Sequence, residues 1–337
     1  MAMEKRDYVI IGYVMNHSLP GVLEEDVRLL THINLAFGLI KDGLLDLSQL
    51  TNINMIKKFR EWNPNLKIVL SVGGWGAGGF SEMAMTEEGR RKFALSCLEA
   101  VQSLRLDGID IDWEYPNSGA AGIAYDPRDR ENFTLLLRTL RNTLGCNKIV
   151  SSAAGAGEYF IRNTQMDQIA EICDYVQLMT YDMRTGTQAG HHAALGSTEG
   201  DTPETSTRHV VKIFHDAGVP YRKIVIGIAW YSHIFYNVNN ANNGLLQQAE
   251  SSAFGPTFGQ ITPDYIRENG FTEYWDPEAE AGYLWNGNTF VSYETERAVI
   301  RKCEYVKKQG LRGVMYWEHG HDPSRTLLRA IYKTLKG

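Results

Sequence analysis

Eight strongly apolar runs alternate with amphipathic stretches along this chain. The runs fall at Tyr8–Val14, His32–Leu39, Lys67–Val72, Leu106–Glu114, Ile149–Ala153, Tyr175–Tyr181, Lys223–Trp230 and Arg312–Trp317. Each is too short for a buried helix and rich in β-branched and aromatic residues, which predicts a strand. Helical spacing fills the gaps, among them Glu87–Leu104, Arg128–Leu144, Glu204–Ala217, Glu294–Gln309 and Ser324–Leu335. Strands apolar on both faces and separated by helices predict an α/β fold with a parallel sheet. Eight such repeats predict a (β/α)8 TIM barrel.

One connection is too long for that plan. Roughly sixty residues separate Tyr231 from Tyr293, whereas most such loops are short. Within it, AGYLWNG and NTFVSYE predict a hairpin turning at Asn286–Gly287. The expected organisation is a catalytic barrel from residues 1–230 and 294–337, with a small α+β insertion over 231–293 after the seventh strand. The insertion would stand on the C-terminal face of the barrel and wall a cleft. The plainer reading is an insertion that never meets a ligand.

The fourth run carries the chemistry. In DGIDIDWEYP, strand alternation puts Gly108, Asp110, Asp112 and Glu114 on one face and Ile109, Ile111 and Trp113 on the other. The three acids then stand about 7 Å apart along the strand. Neighbouring carboxylates raise the cost of ionising one another. Such a row is expected where one acid must hold its proton near neutral pH, as a general acid does. A solvated strand edge does not fit, because the interleaved residues are apolar. A calcium loop does not fit either, because Gly108 falls in the wrong place and isoleucines fill the gaps. Asp110, Asp112 and Glu114 as ligands of a divalent metal remain a third reading.

Composition narrows the partners. Net charge is −6 and no basic run occurs, which argues against nucleic acid and anionic membrane surfaces. No apolar run is long enough to span a bilayer. The four cysteines, Cys97, Cys146, Cys173 and Cys303, are widely spaced and suggest neither a zinc site nor a disulfide framework. The opening MAMEKRDYVIIGY has no apolar stretch of signal-peptide kind.

The C-terminal ends of barrel strands bear the chemistry of this fold. Those ends offer Tyr13, Phe37, Ser71 leading into Gly73-Gly74-Trp75, Glu114, then Gln177, Met179 and Tyr181 on one face with Asp182 just beyond, and finally Trp317. Acids, tyrosine and flat aromatics suit a sugar better than a small charged metabolite. Trp75 and Phe37 read equally well as core residues. His191 and His192 are adjacent and expected to point apart, with solvated side chains rather than a metal between them.

DGIDIDWE matches the DxxDxDxE signature of glycoside hydrolase family 18, the chitinase family. SVGG, QLMTYD and the late YW match its third, sixth and eighth strands in the right order, so the chain resembles that family over the whole barrel. The resemblance implies retaining hydrolysis of β-1,4-linked N-acetylglucosamine, in which the substrate's own acetamide is the nucleophile. It implies that Glu114 is the acid and later the base, that Asp112 orients the acetamide, and that Asp110 shares a proton with Asp112. Tyr181 would hold the acetamide carbonyl. Met179 and Asp182 would line the same subsite above a Trp317 floor, and Tyr13 and Ser71 would support the aspartates. Asp107 lies on the other face and is expected to be structural.

GIAWYSHIF departs from the G-x-P-x-Y-G run common in the family after the seventh strand, although Tyr231 can fill the tyrosine's place. The expected partner is chitin or an N-acetylglucosamine oligosaccharide, bound by a monomer outside the cell. Neither cofactor nor metal is implied. Alternatives are an endo-β-N-acetylglucosaminidase acting on glycoproteins, a lectin on the same barrel, and a metal-dependent barrel enzyme. The lectin reading sits poorly with the presence of Glu114.

Overall fold

The computed structural model describes residues 7–337. The first six residues of the expected catalytic segment lie outside the described residues. Eight parallel strands close into a barrel. In chain order they are Val9–Met15, His32–Lys41, Lys67–Gly73, Gly108–Asp112, Ile149–Gly155, Tyr175–Met179, Ile224–Ala229 and Gly313–Trp317. Each pairs with its sequence neighbour, and the eighth pairs with the first. This is the (β/α)8 TIM barrel expected from the apolar runs.

Alternation sorts the core into two layers. Ile10, Val14, Ile33, Leu35, Ile109, Ile111 and Trp113 point outward and pack against the helices. Val9, Ile11, Tyr13, Tyr175, Met179, Val225 and Met315 fill the barrel interior. Burying apolar area between strands and helices is the main drive for this arrangement.

The helices begin where capping residues satisfy their free N–H groups. Thr86 Oγ1 accepts from Gly89 N at 3.0 Å ahead of Glu87–Ser103, and Thr295 Oγ1 accepts from Ala298 N at 3.1 Å ahead of Glu296–Gln309. The helix expected from Glu204 starts instead at Thr207, because Ser206 takes the cap and Pro203–Thr205 forms a 3-10 turn. Such caps typically contribute about 1 kcal/mol each.

Between the seventh and eighth barrel strands lies a five-stranded antiparallel sheet. Its spatial order is Ser251–Thr257, Tyr231–Tyr236, Phe290–Tyr293, Ala281–Trp285 and Thr272–Asp276. The short helix Pro263–Glu268 precedes its last-named edge strand in the chain. Ala281–Trp285 and Phe290–Tyr293 do form a hairpin, with Trp285 opposite Phe290. The expected two-residue turn is in fact four residues long. Asn286 Oδ1 accepts from Asn288 N at 3.1 Å and Thr289 N at 2.8 Å, so an Asx turn replaces the tight Asn-Gly reversal.

Among the described residues, no helix is long and apolar enough to cross a membrane. Cys97 and Cys303 are buried core thiols. Asp107 is structural in its contacts. It accepts from Arg60 Nη2 at 2.8 Å and Ile68 N at 2.9 Å.

Candidate active site

The site starts from register. Ser71, Asp110 and Ser151 are direct partners on three successive barrel strands, so their side chains enter the interior at one level. Ser71 Oγ donates to Asp110 Oδ2 at 2.8 Å, and Ser151 Oγ to Oδ1 at 2.7 Å. Tyr13 Oη adds a second bond to Oδ2 at 2.8 Å, and Gln177 Nε2 a second to Oδ1 at 2.8 Å. A carboxylate has about four acceptor positions, and all four are used. No lone pair is left for a metal at Asp110, which weighs against the metal-ligand reading of the acid row. Burial pushes the Asp110 carboxyl up, while its donors from Ser151, Ser71, Tyr13 and Gln177 pull it back.

Asp112 sits two residues closer to the rim and contrasts with Asp110. It is buried, and its Oδ1 has no hydrogen-bond partner. Burial, followed by the negative charges of Glu114 and Asp110, holds its carboxyl well above the usual range. No hydrogen bond joins Asp110 to Asp112 among the described residues.

The fourth strand stops pairing at Asp112, two residues before the expected end at Glu114. Asp112 O accepts from Gly74 N at 2.9 Å. A Cβ on Gly73 would lie 2.0 Å from that carbonyl oxygen, and Gly73 adopts φ +122°. The two glycines of SVGG thus let the third strand pass against the end of the fourth. Beyond that contact the chain turns and presents Glu114. Burial raises the Glu114 carboxyl to about 7; the Tyr115 hydroxyl lowers it and the charge of Asp182 adds to the rise. An acid poised near neutral pH can deliver and recover a proton.

The sixth strand also ends early, at Met179 rather than Tyr181. Tyr181 N bonds back to Met179 O at 2.7 Å, and Asp182 adopts φ 53°. This turn keeps Tyr181 over the barrel mouth, where it packs with Trp317 and Tyr231. Trp317 is stacked on Phe37 at 5.4 Å and tilted against Tyr13 at 5.9 Å. Met179 joins the same interior cluster. Phe37 therefore backs the Trp317 ring. Trp75 is 66% exposed, edge-on to Tyr115, which removes the reading of Trp75 as a core residue.

Residues 9–322 match the sequence profile of glycosyl hydrolases family 18. The chain belongs to family 18. It is 35% identical to chitinase A1 of Niallia circulans over 82% of this chain. It spans only 43% of the length of that relative. Among solved structures it resembles a family 18 N-acetylglucosaminidase from Paenibacillus barengoltzii, with TM-score 0.95 and 46% identity. That likeness covers 97% of this chain and all of the other. A Group IV chitinase of Ostrinia furnacalis in complex with allosamidin superposes with TM-score 0.89 at 26% identity, covering 98% of this chain and 99% of that one.

Against this family 18 frame, several neighbours of the site were not singled out from sequence. Ser151 completes the Asp110 cage and only strand register reveals it, while Gln177 reaches Asp110 from the strand face that it shares with Met179 and Tyr181. Asp182 has its own set of partners. Tyr231 Oη donates to Oδ2 at 2.8 Å, and His233 Nε2 lies 2.7 Å from Oδ1. His191 and His192 do point apart, yet both are buried rather than solvated. The insertion covers them: His191 faces Asp276 at 3.3 Å, and His192 N donates to Ser292 Oγ at 3.0 Å. A surface cavity of about 720 Å³ lies at the opposite end of the barrel beside His32, Tyr175 and Arg312, away from Asp110, Asp112 and Glu114.

Proposed function

We propose that this protein hydrolyses β-1,4 linkages of N-acetylglucosamine oligomers or polymers with retention, using the substrate's acetamide as nucleophile. The observation that carries this reading is the contrast along one strand face: a fully bonded Asp110, an unbonded and protonation-prone Asp112, and Glu114 poised near pH 7. A buried carboxyl that resists ionisation is a poor nucleophile, so Asp112 does not suit covalent attack on the anomeric carbon. It suits holding an N–H group with its free Oδ1, as the acetamide nitrogen offers. Glu114 protonates the leaving oxygen and then draws the proton from water. Tyr181 holds the acetamide carbonyl over the Trp317 floor, with Met179 and Asp182 beside it. Tyr13 and Ser71 act one layer deeper, through Asp110.

A second reading is favoured by one observation. The 46% identical structure that the chain matches end to end is described as an N-acetylglucosaminidase, which points to release of single sugars rather than longer products. An extended polymer as substrate further suggests action outside the cell.

The deciding experiment incubates the pure protein with chitotetraose and with a high-mannose glycopeptide, each with and without a chelator, and follows product size and anomer by NMR. Chitobiose released as the β-anomer supports the chitinase, and N-acetylglucosamine alone supports the second reading. Cleavage only of a high-mannose glycopeptide, or no cleavage with oligosaccharide still bound, overturns both. Activity abolished by the chelator would restore the metal-dependent reading.

A further inference from the structure

The insertion supplies side chains that the reaction scheme above leaves without a role. Strand Tyr231–Tyr236 alternates, so Tyr231 and His233 share the face toward the barrel mouth while Ser232 and Ile234 face away. Those two side chains meet the two oxygens of Asp182, with Tyr231 Oη on Oδ2 at 2.8 Å and His233 Nε2 at Oδ1 at 2.7 Å. His192 lies behind His233. Their rings stack at 4.3 Å with planes 16° apart, and His192 Nδ1 is 3.5 Å from Oδ1. His192 is fully buried with neither nitrogen hydrogen-bonded.

Two histidines and a carboxylate within 4.8 Å of one another have the composition of a metal site. The ring geometry argues against one. Nearly parallel rings carry their in-plane lone pairs in parallel planes. One ion cannot lie about 2.1 Å from a nitrogen of each without a ring rotation. Stacking instead makes His192 a flat backing that fixes the orientation of His233. The backbone at His192 is itself held. Its N–H bonds to Ser292 Oγ at 3.0 Å, its carbonyl accepts from Met183 N at 3.0 Å, and the next carbonyl, of Ala193, accepts from Lys302 Nζ at 2.5 Å. On its other side His233 meets the Phe254 ring edge-on at 5.0 Å.

We propose that His233, braced by His192, is a positioning residue that donates Nε2–H to Asp182 and, with Tyr231, clamps that carboxylate at the mouth of the barrel. Asp182 is 40% exposed through its side chain and holds a left-handed backbone conformation. Without two donors it would swing toward water. The clamp is how the insertion, which contributes neither Asp110, Asp112 nor Glu114, acts on the reaction. The inference rests on the family 18 reading of the site, since Asp182 matters only where it faces substrate.

The hydrogen bond is read first without substrate, in protein labelled at the histidine nitrogens. A slowly exchanging His233 Nε2 proton, lost in Asp182→Ala, is expected. Its absence from the wild-type protein overturns the proposal whatever the activity. Turnover of chitotetraose is then compared. His233→Phe keeps the stack and removes the donor, so kcat is expected to fall about tenfold with KM within about twofold. His233→Gln, which restores an N–H donor, should recover most of that loss. In an Asp182→Ala background, His233→Phe should cost nothing further, because the two act as one unit. Additive losses, or equal losses for Phe and Gln, overturn the clamp. If the wild-type protein turns over no N-acetylglucosamine oligomer, the proposed function fails, and the nitrogen spectrum alone decides the clamp.

Discussion

Tyr13 Oη donates to Asp110 Oδ2 at 2.8 Å, joining the first barrel strand to the fourth inside the barrel. Both groups are buried, and a hydrogen bond to a charged acceptor of this kind contributes about 1.5–3 kcal/mol. Tyr13→Phe keeps the ring that tilts against Trp317 and removes only the donor. It should lower the urea unfolding free energy by that amount and reduce kcat by less than the loss of Glu114. An unfolding midpoint equal to that of the wild-type protein would show that Asp110 does not depend on this donor.

Glu114→Gln replaces a proton donor by a neutral amide of nearly the same shape. General acid–base catalysis accounts for roughly 10²–10⁴-fold in rate, and kcat on chitotetraose should fall by at least that factor. Binding of the oligosaccharide, measured by calorimetry, should stay within a few-fold. Undiminished turnover would remove Glu114 from the mechanism.

The same carboxyl predicts two pH effects. Glu114 must be protonated to act as the acid, so kcat/KM should fall as pH rises through about 7. Stability follows the same sign. The folded protein holds this proton more tightly than the unfolded chain, whose carboxyl titrates near 4.5, so the stabilising contribution is present below 4.5 and is lost as pH rises toward 7. The rise from 4.5 to about 7 corresponds to a loss on the order of 3–4 kcal/mol. Glu114→Gln should therefore unfold at higher urea than the wild-type protein at pH 8, with the gap closing at pH 4.5. A gap of constant size across that range would refute a buried, proton-retaining Glu114.

Much of the barrel was legible because parallel strands covered on both sides must be apolar on both faces, and that leaves eight clear runs. Asp110, Asp112 and Glu114 were legible for the opposite reason: three acids on a buried face violate the pattern. What local pattern misses is pairing between distant segments. Ser151 looks like an ordinary polar strand residue until register sets it beside Asp110, and alternation puts Gln177 on the face of Met179 and Tyr181 without showing that it reaches Asp110 across the barrel. His192 looks like a solvated loop residue until the insertion closes over it. The strand ends at Asp112 and Met179 also escaped, because apolar alternation continues past the point where the backbone turns to present Glu114 and Tyr181.

Lys302 and Glu294 form an ion pair with both side chains buried, and Lys302 also donates to Ala193 O. Removing one charge strands the other in a low-dielectric interior, which typically costs about 3–5 kcal/mol. Lys302→Met should show that loss in urea unfolding, and Lys302→Met with Glu294→Leu should recover much of it, since two apolar groups leave no stranded charge. A double variant as unstable as the single one would mean that the bond to Ala193, not the charge pair, holds this segment.

Trp75 offers the cleanest separation of binding from folding. At 66% exposure beside Tyr115 it covers little core, so Trp75→Ala should change stability by no more than about 0.5 kcal/mol. Its flat face stands at the rim, on the glycine-rich loop that follows Ser71, where it can stack on a sugar remote from the cleaved bond. Aromatic stacking of this kind gives roughly 0.5–1.5 kcal/mol, so KM for chitohexaose should rise several-fold. A two-sugar substrate that cannot reach the rim should keep its KM. An equal rise for both lengths would place the effect at the catalytic subsite, through Tyr115 and its neighbour Glu114, instead of at a separate platform.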